Sequence, residues 1–264
     1  MKTWIKKSPS RKRVALWFMR VATPFTPPSF LGCLFGYVRF FRDLARFRNL
    51  GGKAKILDWY PCLFDRTPTT AFDAQYLYQA AWGAKMIFAQ RPEVHFDVGS
   101  HLGFVTQLTA FTTVEFIDLR PANVSIRGFS VNKGLITALP MADGSIRSIS
   151  CMHVIEHIGL GRYGDPIQSD GPEAACKEMV RVLAGGGRAY ISVPIGRPRI
   201  AFNGHRIFDA QEFPLMFKNC EVVAFAYVDA AGHFFENVDY KALTIEPEGC
   251  GSDFGLGIYV LEKL

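Results

Sequence analysis

The segment that most constrains the fold is Val94–Asp118, in which a glycine-rich turn and a helix-like spacing join two short apolar runs. The first run, residues 94–98, stops at the turn Gly99–Gly103, and the second, residues 114–117, ends on Asp118. Glycine suits such a turn because the backbone must approach a ligand closely, often at positive φ. An acid about twenty residues further on can accept the hydroxyls of a ribose. This order predicts the first half of a nucleotide-binding βαβ unit.

The turn alone is not specific, because it does not match G-x-G-x-x-G, and the downstream half of the chain must decide between nucleotide folds. Downstream, apolar runs alternate with segments of helical spacing, which predicts a mostly parallel sheet covered on both faces. A capping-box pattern at Thr70 and Asp73 predicts the start of a helix over residues 71–89. The remaining predicted helices are 172–183 and 209–218, and the remaining predicted strands are 128–131, 146–152, 189–193, 221–228 and 257–262.

A resemblance to a known superfamily rests on the order of the downstream motifs. A turn over Leu139–Asp143, a strand running into His153-Val-Ile-Glu-His157, and a helix ending in Gly185-Gly-Gly187 before another strand follow one another. This order resembles S-adenosylmethionine-dependent methyltransferases. The resemblance implies an α/β, Rossmann-like methyltransferase fold with a mostly parallel seven-stranded sheet whose last strand is antiparallel. We expect that domain at 93–264, after a lead-in helical segment at 53–92.

A narrower resemblance rests on four short motifs, which are Tyr76–Trp82, Asp97–Ser100, Gly159–Pro166 and Phe202–Phe208. They look like a family of unknown function related to these methyltransferases, whose bacterial-type members resemble accessory enzymes of surface-glycan synthesis. The resemblance therefore implies a small-molecule acceptor, in particular a sugar or glycan intermediate, methylated on oxygen.

The resemblance also implies S-adenosylmethionine as cofactor and a set of residues that bind it. The implied cofactor-binding residues are Asp97, Gly99, Ser100, Gly103, Asp118, Leu139 and Asp143. Asp118 would hold the ribose hydroxyls, and the Leu139–Asp143 region would edge the adenine. The chain departs from the family pattern at His101, where a glycine is common, and at Leu135, where an acid is common. A fold retained without cofactor binding is therefore an open alternative.

Methyl transfer to a hydroxyl needs a general base, since a hydroxyl is a poor nucleophile. Three histidines follow predicted strands and are the candidate catalytic residues, namely His153, His157 and His205. Asp165 is a further candidate base, although an aspartate before proline also organises turns. Two arginines, Arg199 and Arg206, are candidates for binding an anionic acceptor.

The run His153–His157 also matches the zinc-protease pattern H-x-x-E-H, which requires both histidines on one helix face. An apolar strand leads directly into His153, so the two histidines straddle a turn. We expect no metal site.

Residues 1–50 carry eleven Lys or Arg against one acid, in a chain of net charge +6. This basic extension, taken as residues 1–52, is expected to contain an amphipathic helix over 29–50 and little fixed structure before residue 14. Such a helix either contacts an anionic membrane surface or packs on the protein. Nucleic acid is disfavoured as a partner, since no binding motif accompanies the charge.

Six scattered cysteines without C-x-x-C favour a reducing cytoplasm, and no convincing secretory signal or spanning run is present. The sequence thus predicts a cytoplasmic protein that contacts the inner face of a membrane peripherally. A non-catalytic protein that binds a nucleotide or a partner protein is the main alternative function. A nicotinamide-dependent sugar enzyme is disfavoured by the glycine turn before the fifth strand.

Overall fold

A computed structural model of the chain describes residues 30–243 and 254–264. The expectation for residues before 14 lies outside this part of the chain. These described residues divide into two compact units, the first ending at residue 71 and the second beginning at residue 72. Each unit is described by itself.

The first unit contains helix α1, Phe30–Asn49, and a 3₁₀ turn at Ile56–Asp58. The chain after the turn folds back on α1, where Gly36 lies against Leu63 and the Arg39 guanidinium donates to the Leu63 carbonyl at 2.5 Å. Trp59 packs edge-on against Phe40 at 6.0 Å between ring centroids. No helix of the described residues is long and apolar enough to cross a bilayer.

The second unit contains three α-helices and ten strands among its described residues. The helices are α2 Ala74–Gln90, α3 Leu102–Leu108 and α4 Gly171–Val182. The strands are β1 Val94–Val98, β2 Thr113–Asp118, β3 Phe129–Lys133, β4 Ile146–Met152, β5 Leu183–Gly196, β6 Arg199–Ala201, β7 His205–Ile207, β8 Cys220–Val228, β9 Phe234–Glu236 and β10 Phe254–Lys263.

Eight of these strands form one sheet in the order β3-β2-β1-β4-β5-β10-β8-β9. The five strands from β3 to β5 are parallel, and β10 is antiparallel to both β5 and β8. The predicted fold class, with its antiparallel last strand, is therefore confirmed, and β9 adds an eighth strand at the edge. Strands β6 and β7 form a separate hairpin.

Two hydrophobic cores cover the two faces of the sheet. Successive side chains of a strand point to opposite faces, so the central strands contribute buried residues to both cores. On β5, Ile191 belongs to the core that contains α4, whereas its neighbour Tyr190 belongs to the core that contains α2 and α3. Trp82 of α2 and Met179 of α4 are fully buried on opposite faces. The connections from β2 to β3 and from β3 to β4 contain no helix, so the sheet is thinly covered at this end.

Three local predictions need correction. Helix α2 begins later than predicted, because the Asp73 carboxylate, not Thr70, caps it by accepting from the Tyr76 amide at 3.1 Å. The predicted helix at 209–218 is only a 3₁₀ turn, Phe213–Met216, in which the amides of Leu215 and Phe217 donate to carbonyls three residues back instead of four. The three glycines at 185–187 lie within β5, where Gly186 adopts a φ of 70°.

Candidate cofactor and active site

The turn after β1 brings backbone, rather than side chains, to the edge of the sheet. Gly99 has a φ of 72°, and a Cβ built there would lie 3.2 Å from a Val154 methyl group. The His101 side chain lines the cavity at this turn. Its Nδ1 accepts from the Gly103 amide at 3.1 Å, so its side chain caps α3. Local hydrogen bonds therefore fix the conformation of the turn.

Asp97 lies beneath this turn, fully buried, and does not line a cavity. Its carboxylate accepts from the Ser100 amide at 3.0 Å, from the Ser100 hydroxyl at 2.7 Å and from the Ser150 hydroxyl. The Ser100 hydroxyl oxygen in turn accepts from the Met152 amide at 2.9 Å, which ties the turn to the end of β4. Burial raises the pKa of Asp97 to about 7, against the lowering effect of these hydrogen bonds.

A buried histidine extends this network to the middle of the sheet. His95 contacts Ser150 through Nε2 and Ser148 through Nδ1, both at 2.8 Å. Because Ser150 gives its one proton to Asp97, it must accept from His95, which fixes the proton of the imidazole on Nε2. Burial lowers the pKa of His95 to about 3, so the ring is neutral near pH 7. Neither His95 nor the serines of β4 was singled out from the sequence.

Asp118 ends β2 and faces the glycine turn across a cavity of about 240 Å³. One carboxylate oxygen accepts from the Arg120 amide at 2.7 Å, and the other lies 3.9 Å from the position of a Cβ on Gly99. The cavity lies beyond the carboxyl ends of β1, β2 and β4, where open α/β sheets bind ligands. Its volume is close to the lower end of the range typical of small-molecule sites, about 300–1,000 Å³.

The wall between Asp118 and the end of β4 is largely apolar. The apolar lining residues are Ile117, Leu119, Leu135, Ile136, Val154 and Ile158. Leu135 thus lies in the wall, as its sequence position suggested. Leu139 is buried in the core, and the exposed Asp143 pairs with Arg181 at 2.5 Å, so neither lines this cavity.

His153 follows β4 with a φ of 60° and closes the opposite end of the cavity. Its Nδ1 lies 2.5 Å from a Glu156 carboxylate oxygen, which as an acceptor requires the proton on Nδ1. Its Nε2 faces the Gln75 side-chain oxygen at 3.2 Å, and its ring stacks on Tyr76 at 5.1 Å. The structure therefore aims Nε2 of His153 toward the side of α2.

Glu156 is the residue of this site that the sequence reasoning did not assign. It is fully buried in the 3₁₀ turn Ile155–His157, and its second carboxylate oxygen has no hydrogen-bond partner among residues 30–243 and 254–264. Its first carboxylate oxygen also lies 3.7 Å from Nε2 of His157. The spacing His153-x-x-Glu156 is the signal for this pair in the sequence, where it also forms part of the zinc-protease pattern.

The other two candidate histidines are placed differently. His157 lines the cavity and donates from Nδ1 to the Gly204 carbonyl at 2.7 Å, and burial lowers its pKa. His205 lies in the β6–β7 hairpin, where its ring packs against Phe254 at 5.2 Å outside the cavity. Burial lowers the pKa of His205 as well.

The loop 159–168 borders the cavity and is organised by its own aspartate. The Asp165 carboxylate accepts from the amides of Gly159 at 2.8 Å, Gly161 at 3.3 Å and Tyr163 at 3.2 Å. The ends of the loop meet because the buried Arg206 donates to the carbonyls of residues 158 and 168, at 2.5 and 3.3 Å. The interpretation of Arg206 as a binder of an anionic acceptor is wrong, because its guanidinium is committed to these carbonyls.

The remaining candidates for anion and metal binding lie elsewhere. Arg199 lies on β6 and donates to the Arg197 carbonyl at 3.1 Å. His153 and His157 do not share a helix face, since His153 precedes the 3₁₀ turn that contains His157. No group of three or more His, Cys, Asp or Glu side chains in the described residues could hold a metal ion.

Comparison with known structures places this architecture among Rossmann-like folds. The [4+2]-cyclase SpnF is 14% identical with a TM-score of 0.53, and the match covers 88% of this chain and 94% of that one. A Burkholderia thailandensis 1,6-didemethyltoxoflavin-N1-methyltransferase with bound S-adenosylhomocysteine is 15% identical (TM-score 0.45, covering 70% of this chain and 78% of that one). An S-adenosylmethionine-dependent methyltransferase from Thermotoga maritima is 19% identical (TM-score 0.44, covering 71% and 93%). At 14% identity the likeness to SpnF shows the fold alone.

At the level of sequence, residues 142–242 match the family described as Caenorhabditis protein of unknown function, DUF268. The matched segment is less than half of the chain and contains the motifs Gly159–Pro166 and Phe202–Phe208. A match to a family of unknown function agrees with the resemblance predicted from those motifs. No curated protein matches the chain.

Proposed function

We propose that this chain is an S-adenosylmethionine-dependent methyltransferase that methylates a hydroxyl oxygen. The observation that carries the proposal is the cavity at the carboxyl ends of β1, β2 and β4. It combines the open Gly99 turn, the Asp118 carboxylate and the imidazole of His153. At one site, these three groups supply a backbone that a ligand can approach closely, a carboxylate that can accept from ribose hydroxyls, and a base.

The residues present fit an adenosine cofactor. Gly99 leaves a space that a Cβ would fill, and one oxygen of Asp118 remains directed toward that space. The apolar wall that includes Leu135 suits an adenine ring. S-adenosylmethionine would supply an electrophilic methyl group on a sulfonium sulfur. Asp97 and Ser100 would stabilise the turn through their hydrogen bonds to each other. Gly103 would stabilise it by donating its amide to His101.

His153 is the proposed general base, and Glu156 is the residue that positions it. Because Glu156 accepts from Nδ1, it leaves Nε2 to take the proton of the acceptor hydroxyl as the oxygen gains the methyl group. For this, the Gln75 side chain must move away from Nε2, because turning its amide alone would place an N–H donor on the same lone pair. His157 borders the same space, whereas His205 does not. A sugar or glycan hydroxyl, as the sequence resemblance implies, is the proposed acceptor group.

Calorimetric titration with S-adenosylhomocysteine tests the cofactor assignment. We expect the wild type to bind with a micromolar dissociation constant, about −8 kcal/mol, and Asp118→Asn to bind at least tenfold more weakly. The matched control is Asp143→Asn, because Asp143 was also predicted to contact the cofactor but lies outside the cavity. This control should bind as the wild type does.

Two results would count against the assignment. If the wild type does not bind at millimolar S-adenosylhomocysteine, the chain is a non-catalytic protein with this fold. If Asp143→Asn weakens binding as much as Asp118→Asn, the cavity has been assigned to the wrong end of the sheet.

We further propose that α1 contacts an anionic membrane surface, which would hold the protein peripherally at the inner face. The exposed apolar residues Leu34, Val38 and Phe41 follow one another at helical spacing. Arg42 and Arg46 lie on the flank of this stripe. A stripe of apolar side chains flanked by arginines favours the boundary between lipid headgroups and acyl chains.

Co-sedimentation of the full chain with vesicles containing phosphatidylserine tests this contact. Each basic residue near such a surface contributes about 1 kcal/mol, so reversing Arg42 and Arg46 to Glu should weaken binding at least tenfold. The control is Arg127→Glu, which changes an exposed arginine of the second unit. Equal sedimentation of all three proteins would exclude a role for α1.

A further inference from the structure

A second cavity, of about 670 Å³, lies beside the first along helix α2. The two cavities share three lining residues, which are Tyr76, His101 and Met152. Tyr76 contacts both flanking imidazoles, with ring centroids 5.9 Å from His101 and 5.1 Å from His153. A thin partition of side chains therefore separates the proposed cofactor site from a larger space.

The second cavity is apolar over most of its surface. Its apolar lining residues, apart from the partition, are Phe72, Leu77, Ala80, Ala81, Ala84 and Phe104. Phe72 is 58% exposed and Leu77 is 49% exposed, so both present apolar surface to water. Exposed apolar side chains gathered in a concave surface are typical of a binding site.

The polar groups of this cavity are mostly engaged by the protein itself. The Asp73 carboxylate caps α2, and the Gln79 side-chain oxygen accepts from the Ser192 hydroxyl at 2.5 Å. No Lys or Arg is among the described residues that line it. An anionic group placed here would lose its hydration without gaining a cation, which is unfavourable.

The first cavity has the opposite character at its rim. The Arg120 guanidinium lies over the Tyr163 ring at 4.3 Å, and that of Arg162 lies over the same ring at 5.0 Å. Asp118 and Asp165 border the same cavity. Charge is therefore concentrated in the first cavity, whereas apolar surface is concentrated in the second.

We infer that the second cavity binds the methyl acceptor, and that this acceptor is an uncharged, hydroxyl-bearing molecule with an apolar body, such as an aryl or isoprenoid alcohol. The inference rests on the proposed function and specifies its substrate class. A sugar hydroxyl would fit only as part of such a molecule. The apolar body would lie along Ala80 and Ala84 of α2, with its hydroxyl at the Tyr76 partition.

This placement is consistent with the position of the proposed base. The His153 ring lines the first cavity and stacks on Tyr76 of the partition, so an acceptor hydroxyl at the partition would lie beside this imidazole. The hydroxyl proton would pass to Nε2 of His153 as the oxygen–methyl bond forms and the sulfur–methyl bond breaks. The products would be a methyl ether and S-adenosylhomocysteine, with the proton left on His153.

Two probes that differ by one phosphate group test the inference, namely 2-naphthol and 2-naphthyl phosphate. Each is titrated into the full chain that has been saturated with S-adenosylhomocysteine. We expect 2-naphthol to bind at least tenfold more tightly than its phosphate. We also expect Ala84→Leu, which fills the cavity, to weaken 2-naphthol binding at least tenfold without changing the affinity for S-adenosylhomocysteine.

Ala89→Leu is the matched control, since Ala89 is an exposed residue of the same helix that does not line the cavity. This variant should bind 2-naphthol as the wild type does. Ala80→Leu provides a second filling variant if Ala84→Leu does not fold.

Each contrary result has a separate meaning. Tighter binding of 2-naphthyl phosphate would overturn the inference in favour of an anionic acceptor near Arg120 and Arg162. Naphthol binding that is absent, or that is unaffected by Ala84→Leu and Ala80→Leu, would overturn it while leaving the proposed function intact. Failure of the wild type to bind S-adenosylhomocysteine would overturn the proposed function itself, and the acceptor assignment with it.

Discussion

The turn after β1 and the turn after β4 meet at the same cavity, but they are stabilised in different ways. The β1 turn is fixed by contacts close in sequence, such as Ser100 with Asp97 and His101 with Gly103, and by bonds to the adjacent strand β4. The β4 turn has a local contact between His153 and Glu156, but it also depends on partners outside the large sheet. His153 meets Gln75 of α2, 78 residues away, and His157 meets Gly204 of the hairpin, 47 residues away.

This difference separates two roles. The local turn creates a space that a ligand can enter with little rearrangement of distant elements. The long-range turn sets the direction of the proposed base His153, and any movement of α2 or the hairpin changes that direction. Three predictions test this division, and they are given from the largest expected effect to the smallest.

The largest effect concerns the buried pair beneath the β1 turn. In the folded protein His95 has a pKa of about 3, whereas in the unfolded chain it stays protonated up to about pH 6.5. Between these values the unfolded chain binds more protons, so the contribution of His95 to the free energy of unfolding rises with pH. Native Asp97, with a pKa of about 7, keeps a proton that the unfolded chain loses above about pH 4, so its contribution falls with pH. Between about pH 4 and 6.5 these two slopes oppose each other.

In Asp97→Asn the free energy of unfolding should therefore rise with pH as His95 alone dictates. From pH 4.5 to 6.5 the free energy of unfolding of the variant, relative to that of the wild type, should rise by about 2–3 kcal/mol. Urea unfolding at several pH values measures this, with the exposed Asp143→Asn as control. Parallel pH profiles for Asp97→Asn and the wild type would show that the two groups do not titrate as described.

The second effect concerns the proton on His153. Glu156→Leu removes the acceptor of Nδ1, a hydrogen bond to a charged group that contributes about 1.5–3 kcal/mol, so the ring should change from the Nδ1–H to the Nε2–H tautomer. Nitrogen chemical shifts of the imidazole report the tautomer. Glu156→Gln retains a carbonyl oxygen at this position and should restore Nδ1–H. An unchanged tautomer in Glu156→Leu would show that Glu156 does not position the His153 imidazole.

The smallest effect separates backbone strain from ligand binding. Gly99→Ala and Gly144→Ala both place a side chain at positive φ, which costs about 1–2 kcal/mol of stability. Only at Gly99 does the added Cβ approach a neighbour, Val154 at 3.2 Å, whereas nothing lies within 4 Å at Gly144. Thermal unfolding should show a loss for both variants, with the larger loss for Gly99→Ala because its Cβ also crowds Val154. Affinity for S-adenosylhomocysteine should fall about tenfold for Gly99→Ala alone, and equal affinities would contradict the assignment.

The sequence by itself determined the sheet and the residues that its strands carry to the edge. Closely spaced apolar residues, such as Val94, Phe96 and Val98 of β1, located β1, β2 and β4 almost to the residue, although polar residues interrupt each strand. The Gly99 turn and Asp118 could be found for the same reason, since each lies directly at a strand end. The weaker predictions were those in which local hydrogen bonds decide the outcome, such as the Asp73 cap that begins α2 and the i→i−3 backbone bonds that limit residues 213–216 to a 3₁₀ turn.

Only the tertiary structure decided how the side chains at these strand ends are used. Glu156 became the partner of His153 because a 3₁₀ turn folds its carboxylate back, and Arg206 became a structural residue because two carbonyls converge on it. The second cavity has no linear signal, since its walls come from α2, α3 and the end of β4. Spacing along a chain predicts which residues share an element, whereas hydrogen-bond partners and cavities depend on elements that meet only after folding.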